Sequence, residues 1–176
     1  MEYMRKIKHI VAVGENWGFS FKNKLIFQFK EILEHFIKMT SGHIIIMGRK
    51  TFEYMLHMEK NGFSIPGAII IVVSRNRDYS AKAQMVTSSI EEAIEIAQEI
   101  NLPKSDIYIM GGASMYNQTI DTCDELVIIM IGMTREADTF YLNPTKHGFK
   151  RVSFNDMVLS EFNQYPYSFT YWRKKS

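Results

Sequence analysis

A strand that ends at glycine and passes into a helix carrying two cations and a hydroxyl suits a phosphate, and this chain has such a segment at Met47-Gly48-Arg49-Lys50-Thr51-Phe52. The first backbone N–H groups of a helix have no partner inside it, and the positive end of the helix dipole favours an anion there. Arg49 and Lys50 supply neutralising charge, although the same residues also fit an exposed basic cap. A second segment is Ile107-Tyr108-Ile109-Met110-Gly111-Gly112-Ala113-Ser114, where consecutive glycines permit positive φ and let a ligand approach the backbone at a helix start. It lacks the G-x-G-x-x-G spacing of a Rossmann unit, so taken alone it also fits a plain tight turn. The third is Val73-Ser74-Arg75-Asn76-Arg77, a strand end with two arginines able to pair with a dianionic phosphate or to stay as surface charge. Ligands of open α/β sheets bind at the carboxyl ends of the strands, and all three loops suit a phosphorylated cofactor there.

Other chemistries find less support. His9, His35, His43, His57 and His147 show no ligand spacing with one another or with Cys123, so no metal is expected. No G-x-S-x-G elbow marks a nucleophilic hydrolase. Cys123 is the single cysteine, which excludes an intrachain disulfide, fits a reducing compartment and reads as a small core thiol. The formal charge of +2 is too small, and the basic residues too scattered, for a nucleic-acid footprint. Glu2, Arg5, Lys6 and Lys8 before a short apolar strand do not match an export signal. Runs such as Ala68 to Val73 and Leu126 to Ile131 fall far short of the roughly 20 residues that cross a bilayer. A cytoplasmic protein with a small-molecule substrate is expected, its oligomeric state not readable.

The elements that must position these loops are legible as periodicity. Short β-branched runs at Ile7–Val13, His43–Met47, Ala68–Ser74, Asp106–Met110 and Leu126–Ile131 predict strands. Helical patterns at Phe29–Met39, Lys50–His57, Ile90–Ile100 and Ser114–Ile120 lie between them. Strands alternating with helices predict an α/β fold, a mainly parallel central sheet with helices on both faces. Ser88 or Ser89 followed by Glu91 or Glu92 reads as a capping box for the third helix, which is scaffold. Strands near Phe149–Phe154 and Tyr167–Trp172, with a turn-prone stretch from Asn163 to Pro166, predict an antiparallel hairpin that closes one sheet edge. With no repeat or linker to divide it, the chain reads as one domain over residues 1–176.

From about Ile7 to Trp172 the order and spacing of the loops resemble the dihydrofolate reductase family. The strongest segments are His43 to Phe52, Ile107 to Tyr116, and Glu136-Ala137-Asp138-Thr139-Phe140. Asn16 to Phe27 is similar to the family's mobile loop over the nicotinamide, with Asn23-Lys24-Leu25-Ile26-Phe27 where Asn-x-Leu/Met-Pro-Trp is usual. The resemblance implies NADPH as cofactor. It places Gly48, Arg49, Lys50, Thr51, Ser74 and Arg75 about its phosphates, and Gly111, Gly112, Ala113, Ser114 and Met115 around the pyrophosphate. Ala12 and Leu25 would flank the nicotinamide, with Tyr116 near it.

The substrate half departs from that pattern. Counted without gaps from Phe27 to Thr40, the family's acidic helix residue corresponds to Ile32. The threonine that bonds this acid corresponds to Ile129, and the arginine that binds the substrate's tail carboxylate to Ala68. An apolar pocket lined by Phe27, Ile32, Phe36, Met55, Ile65 and Ile129 is therefore expected. Glu31 is one residue from the acid position, but neighbouring helical residues point about 100° apart, so only a one-residue shift would turn it inward for general-acid work. The resemblance with these departures implies an NADPH-dependent reductase delivering hydride to a small cyclic C=N or C=C acceptor other than ordinary dihydrofolate. Two alternatives stand beside it: a genuine dihydrofolate reductase using Glu31 or solvent as proton source, and a non-catalytic NADPH-binding protein.

Overall fold

A computed structural model describes residues 4–60, 62, 64–76, 78–79, 85–155, 158–159 and 165–176. In chain order the strands and helices are β1 (Ile7–Val13), β2 (Gly18–Phe21), β3 (Lys24–Leu25), α1 (Lys30–Thr40), β4 (Ile44–Gly48), α2 (Arg49–Glu59), β5 (Ile69–Val73) and β6 (Met85–Thr87). They continue with α3 (Ile90–Glu99), β7 (Ile107–Ile109), α4 (Ala113–Thr119), β8 (Glu125–Ile131) and β9 (Thr139–Phe140). A 3-10 turn at Pro144–His147 precedes β10 (Phe149–Phe154), β11 (Val158–Leu159) and β12 (Pro166–Lys174).

Among the described residues the main sheet runs β10-β12-β8-β1-β7-β4-β5-β6, with β11 paired to β12. The pairs from β8 through β6 are parallel, so β1, β4, β5 and β7 present their carboxyl ends on one side. Strand β12 joins β8 antiparallel and receives β10 on its other flank, which gives the expected C-terminal closure of one edge. The turn expected within Asn163 to Pro166 falls partly on residues 160–164, outside the described set.

Alternation along the strands sets the two faces. Ile10, Ala12, Tyr108 and Ile129 share an apolar cluster with Ile32 and Phe36 of α1, and Ile45, Met47 and Val72 extend the same face to Phe52 and Met55 of α2. Val11, Ile46, Ile109 and Ile128 point the other way, against Ile90, Ala93 and Ala97 of α3 and Met115, Tyr116 and Ile120 of α4. Ser89 caps α3, its hydroxyl accepting from Glu92 N–H at 3.2 Å while the Glu92 carboxylate accepts from Ser88 N–H at 3.0 Å. Both serines of the expected box are thus used.

Strands β2, β3 and β9 form a small sheet that periodicity did not announce, because its segments are two to four residues long; β2 and β3 make a tight hairpin, and β9 joins β2 from a distant part of the chain. Phe19, Ser20, Lys24, Leu25 and Thr139 of this sheet line the cavity at the carboxyl ends of β1, β4 and β7. No helix among the described residues is long and apolar enough to cross a membrane.

Candidate active site

Strands β4 and β7 are neighbours, and the loops that follow them are tied directly, Gly48 N–H donating to the Gly111 carbonyl at 2.9 Å. Gly111 holds φ at +112°, a conformation that L side chains rarely adopt. Helices α2 and α4 both start after glycine, Gly48 and Gly112, and neither has a side-chain cap, in contrast to α3 with Ser89. Their first N–H groups are left for water or a ligand, which is the donor set a pyrophosphate needs.

Both helix starts open into one cavity of about 370 Å³. Ala12, Leu25, Gly48, Lys50, Thr51, Gly111, Gly112, Ala113, Ser114 and Met115 line it, so most of the expected cofactor residues converge. Arg49, Ser74 and Arg75 line an adjoining cleft of about 550 Å³ with Ser88 and Ser89, and Ser114 and Met115 border both spaces. The Arg49 guanidinium is half-exposed and bonds Glu53 one turn along at 3.0 Å. The Ser74 hydroxyl accepts from Asn76 N–H at 3.2 Å, which fixes the loop that carries exposed Arg75. Arg77 lies outside the described residues. The chemistry of these donors and cations fits a phosphorylated dinucleotide.

The acceptor side is built differently from the expected pocket. Phe36 and Met55 line the cavity, joined by Leu33 of α1 and by Tyr54 and Met58 of α2. Phe27, Ile32 and Ile129 do not line it; they are closed core, with Ile32 and Ile129 both 0% exposed. The reason is helical geometry. Ile32 and Phe36 are four apart and face the sheet, whereas Leu33 and Phe36 are three apart and border the gap toward α2, so Phe36 serves both. Ile65 and Ala68 pack against the cluster of Phe52 and Met55, also away from the cavity. Leu33, Tyr54 and Met58 went unnamed in the sequence reading, although their spacing to Phe36 and Met55 on the two helices carries the signal.

Ile32 holds the sheet-facing position, so the one-residue shift that would turn Glu31 inward does not occur. Glu31 is half-buried, with Oε2 shielded from solvent, and does not line the cavity. Tyr116 does line it, but its hydroxyl donates to the Ile10 carbonyl at 2.7 Å and burial pushes the phenol pKa far up. Its part is that of a wall rather than a proton carrier. His35 is buried on the sheet side of α1 and stacks on Phe169 with centroids 3.9 Å apart. Burial and the nearby Lys38 charge lower its pKa to about 4, keeping the ring neutral.

Toward solvent the cavity continues into a groove that shares Asn23, Lys24, Leu33, Lys50, Tyr54 and Met58 with it. Lys22, Arg49 and His57 add to this mouth, against one carboxylate, Glu53. The entrance is therefore basic while the interior is apolar. Among the described residues no group of three or more His, Cys, Asp or Glu could hold a metal ion.

Comparison with known proteins agrees with this layout. Residues 6–174 match the family model described as dihydrofolate reductase. The chain is 30% identical over 170 residues to the dihydrofolate reductase of Bacillus subtilis, covering 97% of this chain and 95% of that protein. It is 33% identical over 136 residues to the bifunctional dihydrofolate reductase-thymidylate synthase of Paramecium tetraurelia, covering 76% of this chain but only 27% of that longer protein. The structure of dihydrofolate reductase from Enterococcus faecalis, complexed with NADP(H) and RAB-propyl, superimposes with a TM-score of 0.83 at 25% identity over 99% of both chains. With nearly its whole length matched, the chain belongs to the dihydrofolate reductase family and is an NADPH-dependent oxidoreductase of that type.

Proposed function

We propose that the chain reduces 7,8-dihydrofolate to tetrahydrofolate in the cytoplasm. The observation that carries this reading is a single cavity that joins the uncapped helix starts at Gly48 and Gly112 to an apolar cleft between α1 and α2 with a basic mouth. Arg49, Thr51, Ser74 and Arg75 hold the cofactor's phosphates, and the backbone from Gly111 to Ser114 holds its pyrophosphate. Ala12, Leu25 and Tyr116 shape the space for the ring. NADPH, when bound, supplies the hydride. The protein's own work is orientation and exclusion of water, which together account for a large share of rate in such reactions. Leu33, Phe36 and Met55 give the acceptor an apolar slot, and Lys22, Lys24 and Lys50 at the mouth meet an anionic tail that Ala68 cannot bind. Since Glu31 does not face the cavity, solvent at the mouth delivers the proton.

A second reading has its own observation. Leu33, Phe36 and Met55 make the acceptor side of the cavity apolar, and pterin N–H donors set against them without partners lose about 1–3 kcal/mol per group. This favours an acceptor other than ordinary dihydrofolate, one with a smaller hydrogen-bonding demand. Titration with NADPH and NADH, followed by dihydrofolate-dependent NADPH oxidation at high enzyme concentration, separates the two. Turnover that saturates with dihydrofolate is expected on the first reading. Tight NADPH binding without it would transfer support to the second, and failure to bind NADPH would overturn the assignment of the three loops.

A further inference from the structure

His9 sits on the central strand with its ring on the α3–α4 face, wholly buried among apolar residues, yet both ring nitrogens are bonded. The directions follow from the partners. Thr119 donates its hydroxyl to the Met115 carbonyl at 2.7 Å, so its oxygen is left to accept from His9 Nε2–H, also at 2.7 Å. His9 Nδ1 is then an acceptor and takes the Tyr141 hydroxyl at 2.8 Å. The run Tyr141 to His9 to Thr119 to Met115 has one consistent direction and satisfies each buried polar atom in it. Burial lowers the His9 pKa to about 3, which keeps the neutral ring and this order in place at ordinary pH. An apolar side chain at each position would fill a core without such matching, so the network gives specificity of geometry that packing alone does not.

Its two ends reach two elements that line the reaction cavity, α4 and, through Tyr141, the small sheet of β2 and β9. Met115 and Thr119 bracket Tyr116 on α4, and the Tyr116 ring lies 5.1 Å from both His9 and Tyr141. At the other end Tyr141 follows β9, which pairs with β2 of the cover, and its own N–H donates to the Trp17 carbonyl at 2.9 Å. Phe19 of β2 closes the circuit, packing edge-on to Tyr116 at 5.6 Å inside the cavity. We infer that His9, Thr119 and Tyr141 are positioning residues that set the spacing between the Tyr116 wall and the cover formed by residues 19–25. The inference rests on the reading that hydride transfer occurs in this cavity.

The test uses near-isosteric variants, Tyr141→Phe and Thr119→Val, with Thr119→Ser as the conservative control. Single-turnover hydride transfer from NADPH to dihydrofolate is measured beside acceptor KM, and amide hydrogen exchange of residues 16–25 is followed with and without NADPH. Both disruptive variants should lose about tenfold in transfer rate with KM changed by less than about twofold. NADPH is expected to slow exchange in residues 16–25 of the wild type; the two disruptive variants should lose that slowing, whereas Thr119→Ser keeps both properties. Wild-type rate and wild-type NADPH protection in the folded variants would overturn the relay, even if their melting temperature fell. If Thr119→Val does not fold, Tyr141→Phe decides alone. Absence of dihydrofolate turnover in the wild type counts against the proposed acceptor, and the exchange experiment then decides the relay by itself.

Discussion

Ile32 and Ile129 do not line the acceptor cleft; both are sealed in the cluster that α1 forms with the sheet. Replacing Ile32 with aspartate puts a carboxyl where its ionised form has no water and no partner, and a loss of about 3–5 kcal/mol is expected near neutral pH. Burial raises such a pKa above the unfolded value near 3.9, so the native state resists ionisation that the unfolded chain undergoes freely. Ile32→Asp should therefore lose stability as pH rises from about 4 toward its folded pKa, as urea titrations at several pH values would show. Ile129→Thr alone leaves a buried hydroxyl to satisfy, at about 1–3 kcal/mol. Because the two side chains share a cluster, the double variant should fall short of the summed losses by about 0.5–3 kcal/mol. Strict additivity would show that these positions do not couple.

At the scale of elements, the helix starts divide binding from folding. Gly48 has φ −71° and ψ 162°, values open to alanine, and an added Cβ would meet Gly112 N at 3.8 Å and Met115 Cγ at 3.9 Å, ordinary contacts. Gly48→Ala should thus change stability by no more than about 1 kcal/mol. The methyl group occupies the approach to the α2 start, however, so NADPH affinity should fall by about tenfold, or 1.4 kcal/mol. Fluorescence titration against NADPH checks this, and unchanged affinity would remove the α2 start from the phosphate site. The α2 start was legible because a glycine, a strand end and clustered cations occur in one short segment, and the α4 start because consecutive glycines follow a strand. The acceptor cleft was not, since choosing Leu33 over Ile32 as lining requires knowing which flank of α1 meets the sheet and which meets α2. Likewise α3 could be read from Ser89 and its apolar spacing, whereas β2 and β9 depend on pairings such as Gly18 with Phe140 that no local pattern encodes.

Over the whole molecule, buried histidines couple stability to pH. His9 has its pKa lowered to about 3 by burial, and His35 to about 4 by burial and Lys38, against an ordinary value of 6.5. His43 shifts in the same direction through burial, outweighing the opposite pull of Asp106. Below pH 6.5 the unfolded chain takes up these protons while the native chain does not, so stability falls as the solution is acidified, down to the folded pKa values. A fully shifted group contributes a slope of about 1.4 kcal/mol per pH unit, and His9, with both nitrogens enclosed, should approach it. His35 contributes less, because its ring lies nearer the surface. Free energies of unfolding from urea titrations should accordingly drop by about 2–4 kcal/mol between pH 6.5 and 4.5. Glu125, whose burial would raise its pKa but whose partners Lys6 and Lys8 lower it, adds to the loss only below about pH 4.5. His35→Phe keeps a ring against Phe169 and removes one titrating group, so its stability should decline less steeply than the wild type's over the same interval. Any offset at pH 7 from the change in packing is separate from that slope. Parallel wild-type and variant curves would show that His35 is protonated as readily in the folded chain as in the unfolded one.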